Sequence, residues 1–185
     1  MTPPLARLSD RTVAVIGSGH DEHDDLAQPV GELLAALRVN LLTGGGAGVM
    51  RSVGRAFTRA PRTEGISIGI LPCRSATERA VPKEGYPNEF VELAIYTHLP
   101  YSGERGKDDL SRNHINILSS AAVVALPGGL GTAAEVALAL RYAKPLIAFS
   151  DDARETADIP ADVPRARTIE EVEQFLRAVP ELRAR

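Results

Sequence analysis

Short, almost wholly apolar runs alternate along this chain with longer stretches in which apolar and polar residues mix at helical spacing. Val13–Ile16, Ile66–Leu71, Ala122–Leu126 and Leu146–Phe149 are the clearest of the short runs, and Asn40–Thr43 and Val91–Tyr96 add two more. Runs of this length and uniformity predict strands of a parallel sheet covered by helices on both faces. Between them, Leu26–Leu37, Val49–Arg59, Asp108–Ser119 and Thr132–Tyr142 read as helices, the last rich in alanine. Thr168-Ile169-Glu170-Glu171 has the form of a capping box and predicts a final helix running towards Val179.

The order is mostly strand then helix, so the predicted fold class is α/β: a Rossmann-like, doubly wound parallel sheet with helices on both faces. Its binding edge lies where strands end and helices begin. Two long loops, Pro72–Phe90 and Thr97–Lys107, are candidates for the walls of a site at that edge. No repeat, low-complexity tract or linker divides the 185 residues, so residues 1–185 are read as one domain.

Composition narrows the function classes. With 44% hydrophobic and only 4% aromatic residues, the core is built from aliphatic side chains. A net charge of −3 with dispersed Lys and Arg argues against nucleic acid. No apolar run reaches the roughly 20 residues that span a bilayer, and Met1–Asp10 lacks the apolar centre of a signal peptide, so a cytoplasmic location is expected. Cys73 is the single cysteine and reads as an idle thiol, while His20 and His23 lie in an acidic loop without further ligands at metal spacing; no metal site is expected.

The chemistry sits in two glycine-rich loops. Gly44-Gly45-Gly46-Ala47-Gly48 follows a strand and opens the helix that contains Met50; Pro127-Gly128-Gly129-Leu130-Gly131-Thr132 repeats the arrangement after Ala122–Leu126. Backbone N–H groups at such helix starts suit a phosphate. Neither loop has the Gly-Lys-Ser/Thr ending of a P-loop, which disfavours ATP hydrolysis. Gly17-Ser18-Gly19 departs from the dinucleotide fingerprint at Glu22, which disfavours NAD. Arg112 and Glu135 flank the Ala122–Leu126 strand and should meet at the binding edge, with Ser18, Gly19, His98, Asn113 and His114 as further lining candidates. Taken locally, Thr132-Ala133-Ala134-Glu135 is also a capping box, which leaves Glu135 open as cap or catalyst.

The two loops together resemble the paired signatures of the LONELY GUY (LOG) superfamily, over Thr12 to about Phe149. LOG enzymes are phosphoribohydrolases that cleave the N-glycosidic bond of nucleoside 5′-monophosphates, including cytokinin nucleotides, and the resemblance implies this activity with Arg112 and Glu135 as catalytic residues. It also implies that Gly44, Gly45, Gly46, Gly48, Met50, Gly128, Gly129, Gly131 and Thr132 hold the phosphate, that no cofactor is required, and that the protein is a homodimer. Arg112-Asn113-His114-Ile115-Asn116-Ile117-Leu118-Ser119-Ser120 and Thr132–Leu140 look instead like the molybdenum cofactor carrier proteins, a second branch. That alternative implies a non-catalytic carrier whose ligand is the molybdenum cofactor, a phosphorylated pterin. Asn113 and Ala134 stand where LOG enzymes have a lysine and an acid. The "lysine decarboxylase" label attached to the superfamily is rejected, since no lysine follows a pyridoxal phosphate motif.

Overall fold

The structure is a computed structural model that describes residues 10–182 apart from 80 and 157. The reading of Met1–Asp10 falls almost wholly outside them. Seven parallel strands form one sheet: β1 (Thr12–Ile16), β2 (Asn40–Thr43), β3 (Ser67–Leu71), β4 (Leu93–Tyr96), β5 (Ala122–Ala125), β6 (Leu146–Phe149) and β7 (Arg165–Ala166), in the order β4-β3-β2-β1-β5-β6-β7. Among the described residues five α-helices accompany them: α1 (Asp24–Ala36), α2 (Val49–Arg59), α3 (Asn113–Leu118), α4 (Leu130–Arg141) and α5 (Ile169–Ala178). The fold is therefore the Rossmann-like α/β architecture that the apolar runs predict.

Alternation along the strands distributes the core. Val13 and Val15 of β1 pack with Leu34 of α1, Val53 and Phe57 of α2 and Leu176 of α5 on one face; Ala14 and Ile16 pack with Ile117 of α3 and Val136, Leu138 and Ala139 of α4 on the other. Burial on both faces explains why the central strands β1, β5 and β6 are apolar apart from Thr12 at the start of β1. Among the described residues no helix is long and apolar enough to cross a membrane.

Several elements differ from expectation. The strand β7 is only two residues long, too short to leave a pattern. The helix α3 is half the length anticipated, because the backbone of residues 110–112 is drawn off by Tyr101: Tyr101 N–H donates to the Leu110 carbonyl and Arg112 N–H to the Tyr101 carbonyl, each at 3.3 Å. The helix α1 starts two residues early, on Asp24 and Asp25, whose charges favour a helix N-terminus.

Candidate functional site

Strand order reverses at β1: β2 and β3 lie to one side of it, β5 and β6 to the other. Loops leaving β1 and β5 therefore diverge and open a crevice at their carboxyl ends, the usual ligand position in such sheets. The crevice here is a cavity of about 410 Å³, within the range for small-molecule sites. Gly17–His20, Gly44, Met50, Arg112, Asn113, Gly129–Thr132 and Glu135 all contribute to its lining.

The helix α4 points its N-terminus into this cavity. Its N-cap is Gly129, which has no side chain to satisfy the first N–H groups. Thr132 is not the N-cap that its Thr-x-x-Glu spacing suggests. It is the third residue of the helix, so the local capping-box reading of Glu135 does not hold, and Glu135 lies in the second turn. The Thr132 hydroxyl is buried with no hydrogen-bond partner. At Thr168–Glu171 the same spacing does form a capping box, with Glu171 N–H donating to Thr168 Oγ1 at 3.4 Å.

Arg112, at the N-cap of α3, reaches Glu135 of α4, with Nη1 3.4 Å from Oε1. Both side chains are nearly buried, at 5% and 12% exposure, so the pair is largely withdrawn from solvent. Burial pushes the Glu135 carboxyl above its ordinary pKa, while the Arg112 charge and hydrogen bonds from Asn116 and Arg112 pull it back. Arg112 Nε and Asn113 Oδ1 are buried without partners, like Thr132 Oγ1. Orphaned polar atoms gathered at one cavity are costly unless something else satisfies them.

The glycines of the first loop serve mainly to hold this arrangement. A Cβ on Gly44 would overlap the Arg112 guanidinium, meeting Nη1 at 2.7 Å and Nη2 closer still. Gly48 has φ +61°, and its Cβ would run into the Ser18–His20 backbone, 2.7 Å from His20 N. Gly45 packs against Leu71, Gly46 against Tyr86 and Met50, and Gly128 against Thr132 and Ser18 N. Of these glycines only Gly44 reaches the cavity lining; Gly45, Gly46, Gly48 and Gly128, read from sequence as phosphate ligands, act as packing positions beside it.

Other expectations divide similarly. The Ser18 hydroxyl is occupied within its own loop, accepting from Asp21 N–H at 2.9 Å, so what it offers the cavity is mainly backbone. His98 is exposed and does not line the cavity, because Thr97 Oγ1 bonds the Leu71 carbonyl and Leu99 is buried, which turns the residue between them outward. His114 is a packing residue: its Nδ1 lies 2.7 Å from the Tyr142 hydroxyl and its Nε2 3.1 Å from the Asp108 carbonyl. Sequence reasoning missed His20, Lys83, Tyr86 and Ser102–Glu104 as wall residues. Their only signal was the length of the two loops that hold five of the six. A second hollow of about 490 Å³ lies between α1 and α2; it contains none of these residues, and its Arg55 is already paired with Glu22 and Asp24.

The sheet is Rossmann-like, and its switch point carries an uncapped helix start and buried, unpartnered polar groups, features that suit a small anionic ligand. Residues 10–177 match the SLOG cluster4 family, and the chain belongs to that family. It is 31% identical over 134 residues to an uncharacterized protein of Archaeoglobus fulgidus, an overlap of 71% of this chain and 75% of that one. Among solved structures it resembles the molybdenum cofactor binding protein from the phototrophic bacterium Rippkaea orientalis, with 32% identity and TM-score 0.67 over 91% of this chain and 94% of that one. It also resembles the molybdenum cofactor carrier protein of Chlamydomonas reinhardtii, with 29% identity and TM-score 0.67 over 90% and 98% of the two chains.

Proposed function

We propose that the protein is a carrier of a phosphorylated pterin of the molybdenum cofactor type, bound in the crevice between β1 and β5. The observation behind this reading is the set of buried, unpartnered polar atoms at the cavity: Thr132 Oγ1, Arg112 Nε and Asn113 Oδ1. The phosphate would take the N-terminus of α4 and the Thr132 hydroxyl, where helix dipole and free N–H groups favour an anion. The pterin would extend towards Met50, Tyr86 and Lys83. Likeness to the carrier and binding proteins of Chlamydomonas and Rippkaea supports this assignment over the hydrolase that the sequence analysis placed first.

The test is retention of molybdenum cofactor, released from a molybdoenzyme under anaerobic conditions and read as pterin fluorescence after oxidation. Folded wild type should retain it, and Thr132→Val should retain less. Wild-type retention no greater than that of an unrelated protein of equal size refutes the proposal.

Glu135 supports a second reading, nucleoside 5′-monophosphate hydrolysis. A carboxylate in the cavity wall could stabilise positive charge developing on a ribosyl group, as in glycoside hydrolysis. Its pairing with Arg112 and Asn116 leaves less of that charge for a substrate, which is why the carrier reading stands first. Release of base and ribose 5-phosphate from any of a panel of nucleotides, abolished in folded Glu135→Gln, would reverse the order.

A further inference from the structure

Asn116 lies outside the cavity lining and is 1% exposed. It follows Arg112 by one helical turn, its N–H donating to the Arg112 carbonyl at 3.2 Å. Residues four apart stand one above the other on a helix face, so both side chains address the same neighbour. That neighbour is Glu135 on α4: Arg112 Nη1 approaches its carboxylate at 3.4 Å, and the Asn116 amide, one turn further along the same face, favours the charged form of that carboxylate. Asn116 Oδ1 has no partner. An apolar side chain would fill this buried position without stranding a polar atom, so the amide is retained at a cost.

We infer that Asn116 is a positioning residue: with Arg112 it holds the Glu135 carboxylate charged and turned towards α3, and so sets the net charge that a ligand meets in the cavity. Arg112 and Asn116 are the groups that favour the charged carboxylate, while His20, Lys83, Tyr86 and Glu104 are further ionisable groups of the same cavity wall. Removing the Asn116 donor leaves burial less opposed, so Glu135 should take up its proton at higher pH. A protonated Glu135 adds one positive charge to the cavity and should tighten anion binding. Only this last step rests on the proposed phosphate-bearing ligand.

The experiment follows the side-chain carboxyl carbon of Glu135 by NMR through a pH titration, in ligand-free wild type, Asn116→Leu and Asn116→Ser, with Glu135→Gln to assign the signal. An upward shift of the midpoint in either folded Asn116 variant is the expected result; an unmoved midpoint in the folded variants overturns the inference. The same proteins are then titrated with inorganic phosphate across that pH range. Binding should tighten as pH falls through the Glu135 midpoint, starting at higher pH in the variants. A shifted midpoint without phosphate binding would uphold Asn116 and count against the ligand reading.

Discussion

Replacing Gly44 by alanine tests the geometry of the site through one methyl group. The Gly44 backbone is outside the left-handed region, so alanine meets no backbone strain there. Its Cβ would occupy the place of the Arg112 guanidinium, overlapping Cζ and both terminal nitrogens. Arg112 is 4% exposed and is fixed through backbone bonds to Tyr101, Ile115 and Asn116, so only its side chain can give way, into the cavity and off Glu135. Breaking a fully buried ion pair costs about 3–5 kcal/mol, and overpacking costs about 1–3 kcal/mol. Because the displaced guanidinium can reach the open cavity, the lower figure applies. At about 2–4 °C per kcal/mol for a chain of this size, the melting temperature should fall by roughly 2–12 °C. Phosphate affinity should drop by about tenfold or more, as the site's fixed cation moves. Thermal denaturation and calorimetric phosphate titration measure both effects. Gly19→Ala, whose Cβ has nothing within 4 Å, is the stability control and should stay within about 0.5 kcal/mol of wild type. In a double-mutant cycle, Gly44→Ala should cost almost nothing in an Arg112→Ala background. Additivity of the two changes within about 0.5 kcal/mol would show that the clash with Arg112 is not the cause.

The two Thr-x-x-Glu segments should respond in opposite ways to loss of the hydroxyl. Thr168→Ala removes a formed capping box and should destabilise by about 1 kcal/mol in urea denaturation, whereas Thr132→Val removes an unpartnered hydroxyl and should leave stability nearly unchanged while weakening phosphate binding; equal losses of stability would contradict the assignment. Glu135 has a folded-state pKa raised by burial, so its contribution to stability is present below the ordinary carboxylate pKa and is lost as pH rises through the raised value. The stability of wild type relative to Glu135→Gln should therefore fall with rising pH over that window, and a relative stability that climbs would refute the burial argument. The homodimer implied by the family resemblance predicts a sedimentation mass of twice the chain, and a monomer at micromolar concentration would exclude it.

The sheet was legible because burial on both faces strips strands such as Val13–Ile16 and Ala122–Leu126 of polar residues, a signal that survives without knowledge of the fold. Arg112 and Glu135 were legible for a topological reason, since both flank one strand at its carboxyl end. The function of each glycine was not. Sequence shows that Gly44, Gly45, Gly46 and Gly48 stand together after a strand, but only the packing of Arg112, Leu71, Tyr86 and Ser18 around them reveals which need the missing side chain for a neighbour rather than for a ligand. Capping failed as a local rule at Thr132 because the helix begins two residues earlier, at Leu130, inside the glycine loop. Lys83, Tyr86 and Glu104 lie in irregular loops whose paths depend on distant contacts, such as the hydrogen bonds that Asn88 makes to Gly45 and Gly46.

The loops after β1, β2 and β5 are tied to one another by main-chain bonds: Ser18 N–H donates to the Pro127 carbonyl and Val49 N–H to the Ser18 carbonyl, both at 2.9 Å. The half of the crevice built from these loops is thus a single interlocked block, in which a change to one loop disturbs the other two. Lys83, Tyr86 and Ser102–Glu104 belong to the two long loops Pro72–Phe90 and Thr97–Lys107, the first of which is joined to that block by Asn88. A lineage could rewrite the crevice-facing stretches of those loops and so change what that end of the crevice admits, while the ties through Asn88 and Tyr101 keep the interlocked block in place.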